Sequence, residues 1–300
     1  MKKRYTFILL MAALAAASLV SCQKETLSEE SVIRVSVTAP TPFDEWLEEN
    51  YVNPYNIDFK YRFELNESDK NYYTIPADYE LAIKMAHLVK YLCIDTYDEV
   101  AGINFTRGYF PKMFFLIGEW EYRNNGTYIL GTAESGKKIL LSGINHLDYI
   151  LKQGAESLNH YYIKTIHHEF THILNQTKAY PTDFAQITGS GYVSDSWSES
   201  PYNKEYLTNG YISAYAQHSD SEDFAEMLSI YITNDQEYWD EQLSAAGTEA
   251  AANITSKLDL VRSYMRDSWD IDIDVLRSTI LRRQEDVTSG KIDLSDISVE

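Results

Sequence analysis

The sequence predicts an α+β fold with a small sheet and a helical C-terminal part. Two patterns predict it. Between residues 111 and 143 there are three short apolar runs, Met113-Phe114-Phe115-Leu116-Ile117, Tyr128-Ile129-Leu130 and Lys138-Ile139-Leu140-Leu141. Asn124-Asn125-Gly126 and Ser135-Gly136 separate them, which is strand and hairpin punctuation. From residue 155 onward, apolar residues recur instead at helical spacing. Strands in one part and helices in the next is the order of an α+β domain.

The chain opens with Lys2, Lys3 and Arg4, followed by an apolar run from Tyr5 to Val20. That run is short for a membrane-spanning helix and has the flanks of a secretory signal. Its end, Leu19-Val20-Ser21-Cys22, resembles the bacterial lipobox, in which the cysteine is lipidated and becomes the mature first residue. Residues 1–21 are therefore expected to be a lipoprotein signal peptide, with Cys22 as the lipidation site. Residues 22–41 form a polar tether that ends in Ala39-Pro40-Thr41-Pro42. Its Gln23-Lys24-Glu25 and Ser28-Glu29-Glu30 resemble the tags that direct Bacteroidetes-type lipoproteins to the outer face of the outer membrane. No other stretch is apolar for long enough to span a bilayer, so the membrane is met only through the lipid anchor.

Residues 42–300 are expected to form one domain, long enough to bury its own core. The net charge is −19, and loss of the three cations in residues 1–21 takes it to −22. Such a surface does not track a phosphate backbone, which excludes nucleic acid as a partner. With Cys22 lipidated, Cys93 is the one cysteine left, so no disulfide framework is possible. Between Leu92 and Ile94 it reads as a small buried hydrophobe.

Within the domain, Leu81, Met85, Leu88 and Leu92 predict a helix over 78–93. The strand region follows. Residues 155–176 then carry Leu158, Tyr162, Ile163, Ile166, Phe170, Ile173 and Leu174 within one stripe at about 100° per residue. A loop rich in Gly, Ser and aromatics runs from Tyr180 to about Tyr211. Phe224, Met227, Leu228 and Tyr231 predict a helix over 221–232, and two more are expected near 249–267 and 273–287.

His168-Glu169-Phe170-Thr171-His172 lies in the helix over 155–176. Two histidines four apart on a helix lie one turn above the other and can share one metal ion. The glutamate after the first is placed to act on water at that metal, the arrangement of zinc hydrolases. With 7 histidines in 300 residues, chance would place such a pentapeptide in roughly one chain per hundred of this composition. Catalytic zinc takes a third protein ligand and leaves one position open. Ile173-Leu174-Asn175-Gln176 excludes a Gly-x-x-His extension, so that ligand is expected to be a distant carboxylate. Ser221-Glu222-Asp223-Phe224-Ala225-Glu226 offers three. Glu222 and Glu226 share one helix face, where one could bind zinc while the other orients a ligand histidine. Asp223 points about 100° away from Glu222. Glu169 is the expected general base.

Tyr215, seven residues before Glu222, together with Glu222-Asp223-Phe224-Ala225-Glu226, resembles the corresponding stretch of the anthrax toxin lethal factor protease. That resemblance implies Glu222 as the zinc ligand and Tyr215 as the hydroxyl that assists at the substrate carbonyl. Asp223 stands where that run has an aromatic residue, which keeps the choice among the carboxylates open. Over its whole length the chain resembles the substrate import-associated zinc metallohydrolase lipoproteins of Bacteroidetes-type bacteria. The resemblance rests on the lipobox, Phe43-Asp44-Glu45-Trp46-Leu47, Asn53-Pro54-Tyr55-Asn56-Ile57, the H-E-x-x-H run and Asn209-Gly210-Tyr211-Ile212-Ser213-Ala214-Tyr215. It implies a zincin-like metallopeptidase domain with a small mixed sheet, an active-site helix carrying the H-E-x-x-H run, and one bound zinc. It further implies a place at the cell surface beside a TonB-dependent outer-membrane import complex.

Three functions are compatible with these residues. The first is a zinc peptidase acting on a peptide or glycoprotein. The second is a hydrolase of an ester or glycan-linked amide. The third is a non-catalytic substrate-binding lipoprotein whose zinc is structural. Of the other histidines, His167 points away from the ligand pair and is expected to be hydrogen-bonded inside the fold. His218 is a candidate substrate contact, and Trp197 and Tyr202 are candidate cleft residues.

Overall fold

Thr41 caps the first helix among the described residues. The computed structural model describes residues 39–69, 71–123, 128–134 and 137–299. The expected signal peptide, Cys22 and all but the last few tether residues lie outside them. A capping box opens the helix Pro42–Leu47: the Asp44 amide donates to Thr41 Oγ1 at 3.3 Å, and the Thr41 amide donates to Asp44 Oδ2 at 2.6 Å. Pro42 sits in the first turn, where its missing N–H costs nothing. The chain runs on through a π turn (Glu48–Val52) to Tyr55 and stops at Asn56, whose φ of 54° is left-handed.

A second helical rod starts at Asp78, whose carboxylate accepts from the amides of Glu80 (3.0 Å) and Leu81 (3.1 Å). It comprises Tyr79–Val89, a π turn over Lys90–Ile94, and Asp95–Ala101, and so runs past the expected end at 93. The helix Ile103–Tyr109 follows. A helix ahead of the strand Met113–Leu116 is expected over 78–93; Pro42–Leu47 and Ile103–Tyr109 are helices that the sequence reading does not include.

The sheet lies mid-chain. Its strands are β1 (Asp58–Lys60), β2 (Met113–Leu116), β5 (Gly131–Glu134) and β6 (Lys138–Leu141), in the order β1-β2-β6-β5. β1, β2 and β6 are parallel, while β5 runs antiparallel to β6, with Gly131 opposite Leu141. The sheet is thus mixed, as expected. β3 (Glu121–Tyr122) and β4 (Tyr128–Ile129) form a separate antiparallel pair. β2 and, after Lys138, β6 read as apolar runs because both faces are covered. Phe114, Leu116, Ile139 and Leu141 enter the main core, whereas Phe115, Ile117 and Leu140 pack with Phe63 on the other side.

Two glycines fix how the sheet meets the helices. A side chain on Gly143 (φ 73°) would lie 2.2 Å from the Trp120 ring. One on Gly131 would lie 2.8 Å from both the Leu140 carbonyl and Thr165 Cγ2. β5 can therefore lie close against the helix Lys164–Thr177 only because residue 131 lacks a Cβ.

That helix is the end of one rod, Ala155–Leu158 and a π turn over Asn159–Ile163 leading into Lys164–Thr177. It buries Ile166, His167, Phe170, Ile173 and Leu174. Phe170 packs against Tyr97, Phe105 and Phe110, with ring centroids 4.9–6.0 Å apart. Replacing so enclosed a ring by alanine costs about 3–5 kcal/mol. The helix Asp220–Thr233, buried at every residue from Asp223 to Thr233, packs against it. Gln236–Ala246, Thr248–Trp269 and Ile273–Thr288 complete the C-terminal part. From Pro40 onward the chain is one compact unit. Among the described residues, no helix is long and apolar enough to cross a membrane.

Candidate metal centre

Two helices build the site. From Lys164–Thr177, His168 and His172 project one turn apart, and Glu169 faces the same cleft. From Asp220–Thr233, Glu222 meets them. Ser219 caps that helix, its Oγ accepting from the Glu222 amide at 3.3 Å, which fixes the residue within the first turn.

His168 Nε2 and His172 Nε2 lie 3.1 Å apart, and Glu222 Oε2 is 2.9 Å from the first and 3.1 Å from the second. These three residues form the group of possible metal ligands found among the described residues, their donor atoms all within 4.8 Å of one another. Zinc holds N and O donors at about 2.0–2.1 Å, and the edge of a tetrahedron of that size is about 3.3 Å. The triangle of donors is close to one face of it. The electrostatics fit a cation as well. Burial works against charge on His168, yet Glu222 and Glu226 outweigh it and push the imidazole up to about 9. Burial likewise works against the Glu222 carboxylate, but the two imidazoles hold it well below the ordinary carboxylate range. These residues fit a zinc ion.

Glu226 and Asp223 have other partners. Glu226 Oε1 is 2.8 Å from His168 Nδ1, on the far side of the ring from the donor triangle. Lys164 Nζ donates to both Glu226 oxygens (2.9 and 3.2 Å), and Ser213 Oγ donates to Oε2 at 2.7 Å. Glu226 thus faces the side of the His168 ring that is turned away from the donor triangle. Asp223 turns into the core, where Lys257 Nζ donates to it at 2.6 Å and Tyr192 Oη at 3.0 Å. Lys257 also donates to the Gly210 carbonyl (3.0 Å) and lies 4.0 Å from the centre of the Tyr211 ring. This fully buried pair ties the Thr248–Trp269 helix to the segment leading into Ser213 and Tyr215.

Tyr215 sits beside the triangle, its ring 5.9 Å from that of His168 and 5.1 Å from that of Trp197. Burial raises its hydroxyl above the ordinary phenol range, and Glu222 and Glu169 add to the effect, so it is a neutral donor at pH 7. A cavity of about 710 Å³ brings these parts together. His168, Glu169, His172, Glu222 and Tyr215 line it, with Trp197, Arg123 and the Leu130-Gly131 edge of the sheet. Tyr202 is not among the lining residues. His218 stacks near Tyr215 at 5.7 Å and sits 3.4 Å from Asp195. His167 points into the core, with Tyr97 Oη 3.1 Å from Nδ1 and Cys93 Sγ 4.0 Å from Nε2. Lys164 and Ser213 were not singled out in the sequence. Lys164 could have been, since it stands one turn before His168 on the same helix face.

A family model described as "Putative zinc-binding metallo-peptidase" matches residues 36–274. The chain belongs to this metallo-peptidase family. A solved structure from Bacteroides caccae ATCC 43185 bears the same description, and the two chains are 40% identical with a TM-score of 0.74. The match covers 89% of this chain and all of that one. No curated protein matches. The matched residues span both helices that carry the three donors.

Proposed function

We propose that this member of the zinc-binding metallo-peptidase family is a peptidase with a zincin-like domain, in which His168, His172 and Glu222 hold zinc and Glu169 is the general base. The observation that carries the reading is the convergence of three donor atoms from two helices in a cavity that Glu169 and Tyr215 also line. Bound there, zinc supplies a Lewis acid for the substrate carbonyl and lowers the pKa of water in the site. Glu169 takes the proton from the attacking water and delivers it to the leaving amine nitrogen. Tyr215 donates its O–H to the carbonyl oxygen as negative charge builds there. Glu226 keeps the His168 ring in place. Three protein donors, the number found among the described residues, is the catalytic pattern, since structural zinc sites are closed by four. This favours hydrolysis over a purely binding role.

A peptide substrate is favoured by β5. It pairs with β6 on one side, and Gly131 at its start lines the cavity. An extended peptide can add its backbone to such an edge, which an ester lacking amides cannot do in the same way. Glu169→Gln should keep one zinc per chain while kcat on a fluorogenic peptide mixture falls by about 10²–10⁴. Turnover at the wild-type rate would remove Glu169 from the mechanism.

The lipid anchor on Cys22, the 22–41 tether, a surface location and an import-complex partner belong to the same proposal and rest on the sequence. Cells fed labelled palmitate should label the wild-type protein and not Cys22→Ala. Equal labelling of both would dismiss the anchor.

A further inference from the structure

Among the described residues, one cation of the cavity has no acidic partner. Arg123 follows β3 and reaches the same wall as Tyr128 and Leu130. Among the described residues it makes no hydrogen bond or ion pair. The other described arginines all donate to a protein oxygen; Arg62, for example, grips Asp44, and Arg283 grips Glu99. Arg123 itself is exposed to solvent. Its charge is nonetheless felt at Tyr215, where it opposes the rise caused by burial and by the surrounding carboxylates.

The charges of the cavity can be followed pair by pair. Its acids are Glu169, Glu222 and Glu226, and its other cation is Lys164. Lys164 is matched to Glu226. With one zinc ion bound, its two positive charges balance Glu169 and Glu222, and His168 and His172 are neutral as ligands. Arg123 remains as a surplus positive charge. The whole chain, by contrast, is at −19. A positive spot inside a cleft on so acidic a protein attracts and orients an anion. The guanidinium is the side chain best shaped to grip a carboxylate through two parallel N–H bonds.

We propose that Arg123 is a specificity-determining residue, and that the cavity prefers peptides carrying a carboxylate side chain close to the bond that is cut. This inference rests on the peptidase reading above and names its substrate class. Neutral peptides leave the guanidinium without a partner, whereas an acidic side chain supplies one in the cleft, partly out of water.

The test uses the zinc-loaded protein and fluorescence-quenched peptides in matched pairs, with Glu or Gln placed at each position along a neutral background. Wild type is expected to cut the best Glu peptide about tenfold faster in kcat/KM than its Gln partner, the size of one charge-assisted hydrogen bond. R123Q should erase the difference, R123K should keep part of it, and R123E should reverse it. All should hold the same zinc content and melting temperature as wild type. No preference in wild type, or a preference that survives R123Q, overturns the proposal. A second arm measures binding rather than turnover, by fluorescence anisotropy of the same peptides on zinc-loaded E169Q. If no peptide is cut at all, the hydrolytic reading falls. Tighter binding of the Glu peptides, lost in E169Q/R123Q, still supports Arg123 as the acid-selecting residue, and equal binding of Glu and Gln peptides overturns it.

Discussion

Glu226 lies against the candidate metal centre without joining its donor triangle. Its carboxylate lies 2.8 Å from His168 Nδ1, and Lys164 and Ser213 donate to that carboxylate in turn. Burial alone would raise its pKa, but Lys164 and His168 reverse that, so the carboxylate is ionised at neutral pH. Such partners typically account for 10–100-fold in metal affinity. Glu226→Gln should therefore bind zinc about 10–100-fold more weakly in competition with a chromophoric chelator. An unchanged affinity would show that the contact does not tune the ligand. The sequence makes the cluster of His168, Glu169 and His172 legible through its spacing, which puts both imidazoles on one helix face. It narrowed the third donor to three acids and could go no further from the residues alone. Glu222, Asp223 and Glu226 differ in the direction they leave the helix and in what waits there. For Asp223 that is Lys257, thirty-four positions further along the chain, which no local pattern announces.

At the scale of elements, legibility followed length and phase. β2 and the Ile139-Leu140-Leu141 part of β6 were visible because strands buried on both faces read as apolar runs. The helices ending the chain were visible because their apolar stripes run for several turns. β1 is three residues, Asp58-Phe59-Lys60, with one buried side chain, and carries no such signal. The rod from Tyr79 to Ala101 was cut short at 93 for a physical reason. The π turn over Lys90–Ile94 adds a residue to the turn, so a period of 3.6 read straight through it slips by about 100°. The segment from Tyr180 to Tyr211 read as a loop because its helical pieces, such as Asp183–Thr188 and Tyr202–Glu205, are a turn or so long. The pairing order of the sheet was also out of reach. Parallel neighbours β1, β2 and β6 are far apart in sequence, with helices between the first two.

For the molecule as a whole, the acidic balance makes stability at low pH depend on carboxylates that the fold holds ionised. Asp44 is the clearest of these outside the metal centre. It closes the capping box with Thr41 and accepts from Tyr61 Oη at 3.0 Å. It also takes two bonds of 2.7 Å from the Arg62 guanidinium, so the first helix is clamped to the chain just after β1. The Arg62 bond is the largest influence on its carboxyl and, against partial burial, holds it well below the ordinary value of 3.8. A carboxyl depressed in the folded state adds stability above the unfolded pKa, and that stability is lost as pH falls through the folded one. Asp44→Asn keeps the shape and removes the charge, so it should lower unfolding stability by about 1–3 kcal/mol at pH 7. The same gap should stand at pH 5, because Asp44 is ionised in both folded and unfolded chains there. It should narrow only below about pH 3.8, as the unfolded chain begins to take up the proton that the folded one refuses. Urea midpoints of the two proteins at pH 7, 5 and 3 would check this. A gap already closed at pH 5 would mean that the Arg62 clamp does not control the Asp44 charge.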